Sequence, residues 1–255
     1  MINFFKYNNI SSKDFGLYIT DYEVYSAPAK KSTIEIISGR DGNLIIEDEQ
    51  GMYANKKVVY TVAFSVLLSS GKIERNIIKR IKEWLYSTLG YGVLEDSYNP
   101  AYYRQAAIYE ELNIERLIIG AVDEIKITFD CKPYMYAKIY PTFDLKANST
   151  TEIYNPYKFK ALPIIVLPPG NSEGVYGTLR INGKTFSLFL GDGNSMVIDS
   201  EKRTITEISA GIERSTSHMI NAKGDFPMLN SGRNLIIWEN KLGRNLKINT
   251  CWRCL

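Results

Sequence analysis

The chain of 255 residues is 45% hydrophobic and 23% charged, enough apolar side chain for a buried core in two domains, which excludes a disordered chain. Its net charge of +3 comes from Lys and Arg scattered in nothing denser than pairs, so direct sequence-specific nucleic-acid binding is not expected, and no apolar run reaches the ~18–20 residues needed to span a membrane. Cys131, Cys251 and Cys254 are too few and too unevenly spaced for a disulfide framework, and the first residues lack the charged and apolar regions of a signal peptide; synthesis in a reducing cytoplasm is expected.

The first third alternates as strands do. Ile34 and Ile36 point one way, Ser38-Gly39-Arg40-Asp41-Gly42-Asn43 supplies turn chemistry, and Leu44-Ile45-Ile46 resumes. Tyr60, Val62, Phe64, Val66 and Leu68 then share one face, with Val59, Thr61, Ala63 and Ser65 on the other, which predicts a strand with one apolar side. Residues 72–89 carry the one strong helical period: Ile73, Ile77, Ile78, Ile81, Trp84, Leu85 and Leu89 fall on one face and Lys79, Arg80, Lys82 and Glu83 on another. Gly90 and Gly92 are placed to end that helix. Strands are predicted around 102–109 and 122–131.

The texture changes over 137–158, with Pro141, Asn148-Ser149-Thr150-Thr151 and Asn155-Pro156, and the domain boundary is placed near its start, giving domains 1–136 and 137–255. Beyond it no helical period is found. Leu162–Leu167, Thr178–Ile181, Phe186–Leu190, Met196–Ile198, Arg203–Ile208, Leu235–Trp238 and Leu246–Ile248 are separated by Gly, Asn and Asp. Many short strands at this spacing predict a sandwich or barrel. The fold class expected is therefore mainly β.

Motifs that carry chemistry are scarce. Gly177 to Thr185 approaches a phosphate loop, but Thr178 stands where the first glycine is needed. Asn182-Gly183 between alternating strands reads instead as a tight hairpin. Cys251-Trp252-Arg253-Cys254 has redox spacing without the helix N-terminus that would activate a thiol, and two thiols fall short of four zinc ligands. His218 is the sole histidine, and no nucleophile elbow accompanies it. Gly191-Asp192-Gly193-Asn194 resembles the opening of a calcium loop but lacks the later ligands. Acidic Glu47-Asp48-Glu49 and Glu110-Glu111 read as solvated. No enzyme activity, cofactor or metal is expected.

A set of fragments, in order, resembles the distal tail protein family of long, flexible-tailed phages over nearly the whole chain. They are Phe15-Gly16, Gly39-Arg40-Asp41-Gly42, Trp84-Leu85, Leu94, Tyr102-Tyr103-Arg104 and Asp130-Cys131-Lys132-Pro133 in the first domain. In the second come Asn155-Pro156, Ala161-Leu162-Pro163-Ile164, Ile198-Asp199-Ser200-Glu201, Gly224 to Leu229, Gly232-Arg233-Asn234 and Trp252-Arg253.

The resemblance implies an N-terminal β-sandwich with one helix that assembles as a homo-hexameric ring, and a peripheral galectin-like C-terminal sandwich. It implies a place at the virion tail tip, in the baseplate hub, between the tail tube protein and the tail-associated hub or lysin protein. The outer domain is then expected to carry a receptor-binding protein or to touch host-surface polysaccharide.

Two features are carried forward as candidate sites. Arg40 and Asp41 sit either in a plain hairpin turn or in one that reaches a neighbouring subunit. Trp238 is the candidate for sugar stacking, and it underlies the alternative function, a carbohydrate-binding module for host cell-wall adhesion. A sugar-binding galectin strand has His-x-Asn-x-Arg; His218-Met-Ile-Asn221 has the wrong spacing and Trp238 lacks the usual neighbours, so docking or structure is the expected role of the second domain.

Overall fold

The computed structural model describes residues 3–47, 53–64, 75–112, 125–169, 175–190, 194–209, 211–216 and 225–255. The chain divides into two compact units, Met1–Met135 with Leu255, and Tyr136–Cys254. Strands dominate both, and the fold is mainly β with one α-helix among the described residues.

The first unit contains β1 (Phe5–Tyr7), β2 (Ile10–Ser11), β3 (Leu17–Glu23), β4 (Ser32–Glu35), β5 (Leu44–Glu47), β6 (Lys56–Phe64), α1 (Arg75–Tyr86), β7 (Gly92–Asp96), β8 (Tyr102–Ala107) and β9 (Ile125–Ala137), the last crossing the boundary. The main sheet runs β2-β1-β7-β8-β9-β6-β3, while β4 and β5 form a separate two-stranded sheet. The core is aromatic. Phe5 stacks on Tyr60 (5.2 Å) and Trp84 (5.5 Å), Phe15 stacks on Trp84 (4.7 Å), and Phe129 meets Phe5 edge-on (5.5 Å). Each such pair contributes roughly 0.5–1.5 kcal/mol beyond its buried area. The Trp84 indole N–H donates to the Tyr7 carbonyl (3.0 Å), so the helix is pinned through a buried polar group as well as an apolar one.

Phe15 reaches this core through a 3-10 turn over Ser12–Phe15 that periodicity did not predict. Ser11 and Asp14 close a capping box around it, and Gly16, at φ +69°, takes the left-handed position that ends it. Phe15-Gly16 is thus a delivery device for one ring.

Several expectations are corrected. The described helix stops at Tyr86 rather than 89, and Leu89 is 98% exposed instead of anchoring a face. The Ser87 hydroxyl donates to the Trp84 carbonyl (3.3 Å) and Thr88 accepts from the Asn8 amide (2.6 Å), so one local and one long-range side-chain bond stand where the next helical turn would be. Ile73, Val66 and Leu68 lie outside the described residues. The strand β6, between β9 and β3 in the sheet, is not one-sided: Thr61 and Ala63 are buried along with Tyr60, Val62 and Phe64, so both of its faces are covered there.

The second unit contains β10 (Thr142–Leu145), β11 (Ser149–Asn155), β12 (Ile164–Leu167), β13 (Val175–Ile181), β14 (Lys184–Leu190), β15 (Ser195–Asp199), β16 (Thr204–Ser209), β17 (Ile212–Ser215), β18 (Gly232–Glu239), β19 (Leu246–Asn249) and β20 (Arg253–Cys254). Two of these, β10 and β11, lie in the 137–158 stretch whose composition marked only a change of texture. Threonines and Ile153 in β11 pair with β18 across seven registered positions, so partner strands override the polar composition.

The strands make two sheets, β10-β19-β12-β15-β16-β17 and β11-β18-β13-β14. Ile165, Leu167, Met196, Ile198, Leu246 and Ile248 are buried on the first; Ile153, Leu179, Ile181, Leu188, Ile236 and Trp238 are buried on the second. Exposed or half-buried residues alternate with them, so each sheet has one buried face. The β13–β14 connection is the tight hairpin read from Asn182-Gly183: both residues have positive φ (50° and 82°), and Ile181 pairs directly with Lys184.

Candidate functional site

The turn Gly39-Arg40-Asp41-Gly42 lies at the tip of the β4–β5 hairpin. Gly39 and Gly42 hold positive φ (78° and 76°), and the Arg40 amide donates to the Ile37 carbonyl (3.3 Å), which leaves Arg40 and Asp41 exposed. More informative are the arms. Ile34 pairs with Ile45 across the hairpin and Thr33 with Ile46. Ile34, Ile36 and Ile45 therefore share one face, and Ile46 lies on the other with Glu35 and Leu44. All of these isoleucines are exposed, Ile36 at 86%. The sequence reading assigned Ile34 and Ile36 a direction but not this exposure. The available signal was an apolar run on both sides of one turn, Ile34-Glu35-Ile36-Ile37 and Leu44-Ile45-Ile46, with no polar face between them.

At the root of the hairpin, Ala54 donates its amide to the Ala29 carbonyl (2.8 Å) and Lys30 bridges Tyr53. A groove of about 570 Å³ adjoins this point, lined by Tyr22, Val24, Tyr25, Pro28, Lys56 and Val59 among others. Tyr22 packs on Tyr98 (3.8 Å between ring centres) and meets Tyr25 edge-on (5.6 Å), so the groove has an aromatic wall. The Lys56 ammonium donates to the carbonyls of Val24 (2.9 Å) and Ser26 (2.5 Å). Burial, and then the nearby Arg104 charge, pull its pKa below the usual lysine value.

Arg104 belongs to a buried network. Its guanidinium meets Asp96 (3.3 Å), Asp96 accepts from the Tyr60 hydroxyl (2.7 Å), and the second Asp96 oxygen accepts the amides of Tyr98 (3.0 Å) and Asn99 (2.8 Å). Burial, then the Asp96 charge, hold the Tyr60 hydroxyl protonated well above the ordinary tyrosine range. Fully satisfied on the carboxylate side, this network fixes the β7–β8 turn. Nothing in it is open to a substrate.

Trp238 is corrected as a sugar contact. Its side chain is 0% exposed, its indole N–H donates to the Arg244 carbonyl (2.6 Å), and a Cβ on Gly177 would collide with its ring. A ring sealed in a core offers no face for stacking. Asn240 completes the turn beneath it, donating to the Arg244 carbonyl (2.8 Å) and accepting the Arg244 amide (2.9 Å). His218 and Gly191-Asp192-Gly193 lie outside the described residues.

Cys131, Cys251 and Cys254 are free thiols. Burial pushes the Cys131 thiol up to about 12, and burial also raises Cys251. Both shifts oppose the thiolate that redox or metal chemistry needs. Among the described residues no group of three or more His, Cys, Asp or Glu gathers as a metal site. Glu110 is exposed and pairs with Lys57.

The ordered sequence fragments prove to be posts of the fold. Ala161 and Leu229 exchange backbone hydrogen bonds (2.8 and 3.0 Å), and the Ser200 amide donates to Pro163 (3.2 Å), so three fragments of the second unit meet. The Asn234 amide is buried and donates to the carbonyls of Asn230 (3.0 Å) and Gly232 (2.9 Å).

No protein-family model matches the sequence, and no curated protein matches it. Solved structures do. The Dit protein of phage SPP1, described as a paradigm of the hub adsorption apparatus in phages infecting Gram-positive bacteria, superposes with a TM-score of 0.73 at 12% identity, over 100% of both chains. The chain has the fold of a phage distal tail protein. A chain of the phage P2 baseplate in its activated conformation with calcium also matches, with a TM-score of 0.53 and 11% identity over 97% of this chain and 98% of that one. The first likeness covers both units of this chain end to end.

Proposed function

We propose that this chain is a distal tail protein: a non-enzymatic structural component of a phage tail tip. In this reading, residues 1–136 form the subunit of a hexameric ring in the baseplate hub, joining the tail tube protein to the tail-associated hub or lysin protein. Residues 137–255 form a galectin-like outer sandwich that holds a receptor-binding protein. The observation that carries the proposal is the superposition on the SPP1 Dit protein over the full length of both chains. At 12% identity, the likeness lies in the backbone path rather than in the sequence.

The sites support a structural role. The buried Asp96 carboxylate and the Trp238 indole are engaged within their own units, while the β4–β5 hairpin carries a cluster of exposed isoleucines. Arg40 and Asp41, at its tip, are proposed subunit or partner contacts. The carbohydrate-binding alternative loses Trp238 as its stacking residue.

The proposal predicts six-fold rings of purified protein in negative-stain electron micrographs. Particles without rotational symmetry at all concentrations, or soluble fragments released from purified cell walls, would overturn it.

A further inference from the structure

Among the described residues the β4–β5 hairpin is paired with no other strand, and residues 32–46 are exposed apart from half-buried Leu44. An isolated two-stranded hairpin is marginal in water, and a contiguous apolar patch on a folded chain marks an interaction surface. Taking roughly 180 Å² for a fully exposed isoleucine, Ile34, Ile36, Ile37, Ile45 and Ile46 together present about 500 Å², against about 800 Å² per partner in a standard interface. The hairpin therefore supplies most of one side of a stable contact. Because both of its faces carry isoleucine, a cleft would cover it better than a flat surface.

The same chain carries such a cleft. The groove at the hairpin root has apolar lining from Val24, Pro28 and Val59, an aromatic wall from Tyr22 and Tyr25, and the Lys56 ammonium. Lys56 holds two carbonyls but no carboxylate among the described residues. Glu35, exposed among the isoleucines and paired with Leu44 only through the strand register, forms no ion pair with a described residue. Knob and cleft thus match in apolar character, and of the charged residues lining the cleft, Glu23, Lys56 and Lys57, the two lysines are opposite in charge to Glu35. They lie at different places on one chain, with the isoleucines left exposed. Complementary patches on separate surfaces produce head-to-tail contacts, which close into rings when the rotation permits.

We infer that the β4–β5 hairpin of each chain inserts into the Tyr22–Val59 groove of a second copy, with Glu35 meeting Lys56. This rests on the ring-forming reading above and deepens it by naming the two surfaces that meet.

The test uses the full chain and light scattering across a concentration series. Ile34→Glu with Ile36→Glu disables the hairpin, and Ala27→Trp fills the groove; all three positions are exposed, and thermal melting by circular dichroism verifies that each variant is folded. Wild type is expected to assemble. Each variant alone should remain monomeric at concentrations more than about tenfold above the wild-type midpoint. An equimolar mixture of the two variants should give a dimer, since one intact hairpin then meets one intact groove. Glu35→Lys should raise the assembly midpoint by about tenfold.

Variants that assemble like wild type would overturn the inference and leave the ring reading standing. A folded pair of monomeric variants that forms no dimer when mixed would also overturn it. A wild-type chain that stays monomeric would overturn both.

Discussion

The β4–β5 hairpin and the β11-β18-β13-β14 sheet make an instructive pair. Both drew attention in the sequence, one through Arg40 and Asp41 and the other through Trp238, and folding treated them oppositely. In the β11-β18-β13-β14 sheet the aromatic side chain is wrapped by its neighbours: Gly177 is small so that the Trp238 ring can lie against it, and the turn at Asn240–Arg244 closes over the indole N–H. On the hairpin, aliphatic side chains of similar hydrophobicity stand in solvent. The difference lies in what covers each strand. The apolar face of a strand inside a larger sheet is buried in its unit, whereas the hairpin, among the described residues, pairs only with itself and keeps its isoleucines exposed. Apolar residues in the first setting hold the fold together; in the second they are available to another molecule.

That contrast can be broken by measuring stability and assembly separately. The largest effect is expected at Trp238. Trp238→Ala should destabilise the second unit by roughly 3–5 kcal/mol in denaturant unfolding, through the cavity left by a fully buried ring. A variant with wild-type stability and altered glycan binding would reverse the assignment of Trp238 as core. Next, Gly177→Ala should cost about 1–3 kcal/mol by forcing a methyl group into the same ring.

An alkaline titration sharpens the comparison for the first unit. Tyr60 and Cys131 both have folded pKa values raised by burial, Cys131 to about 12. The unfolded chain therefore loses these protons at lower pH than the folded one, so their contribution is fully present below the unfolded values of about 8.5 and 10 and is lost as pH rises above them. Unfolding free energy should fall between pH 9 and 11 by up to about 1.4 kcal/mol per pH unit for each group, and Cys131→Val should remove the lower part of that slope. The same burial predicts that a thiol reagent modifies Cys131 only after denaturation, with Cys131→Val deleting that slow fraction.

The smallest stability change belongs to the hairpin. Ile34→Glu with Ile36→Glu should leave the unfolding free energy within about 0.5 kcal/mol of wild type, while abolishing assembly. A large loss of stability instead would mean that the hairpin is covered within its own chain.

Much of the local structure was legible in the residues. Asn182-Gly183 predicted a two-residue turn because few other pairs accept positive φ twice in succession, and Trp84-Leu85 on a helical stripe predicted a packed helix. The helix end was misjudged because Leu89 continues the period, while the bonds of Ser87 and Thr88 that end it involve groups distant in sequence or in competition with the backbone. Strand β11 was passed over since its threonines look like loop sequence until β18 lies beside them. The buried Asp96–Arg104 pair could not be foreseen at all, because nothing in the two residues' types distinguishes a buried ion pair from two solvated charges.

By itself the sequence determined that the chain is β-rich, where its tight turns fall, which residues share a strand face, and that its ordered fragments resemble those of tail proteins. Only the tertiary structure decided which of those faces is covered. Alternation along a strand records that residues lie on the same side, but burial depends on whether another layer arrives there, and that layer comes from segments far along the chain. For this reason Trp238 became core and the isoleucines of the hairpin became surface.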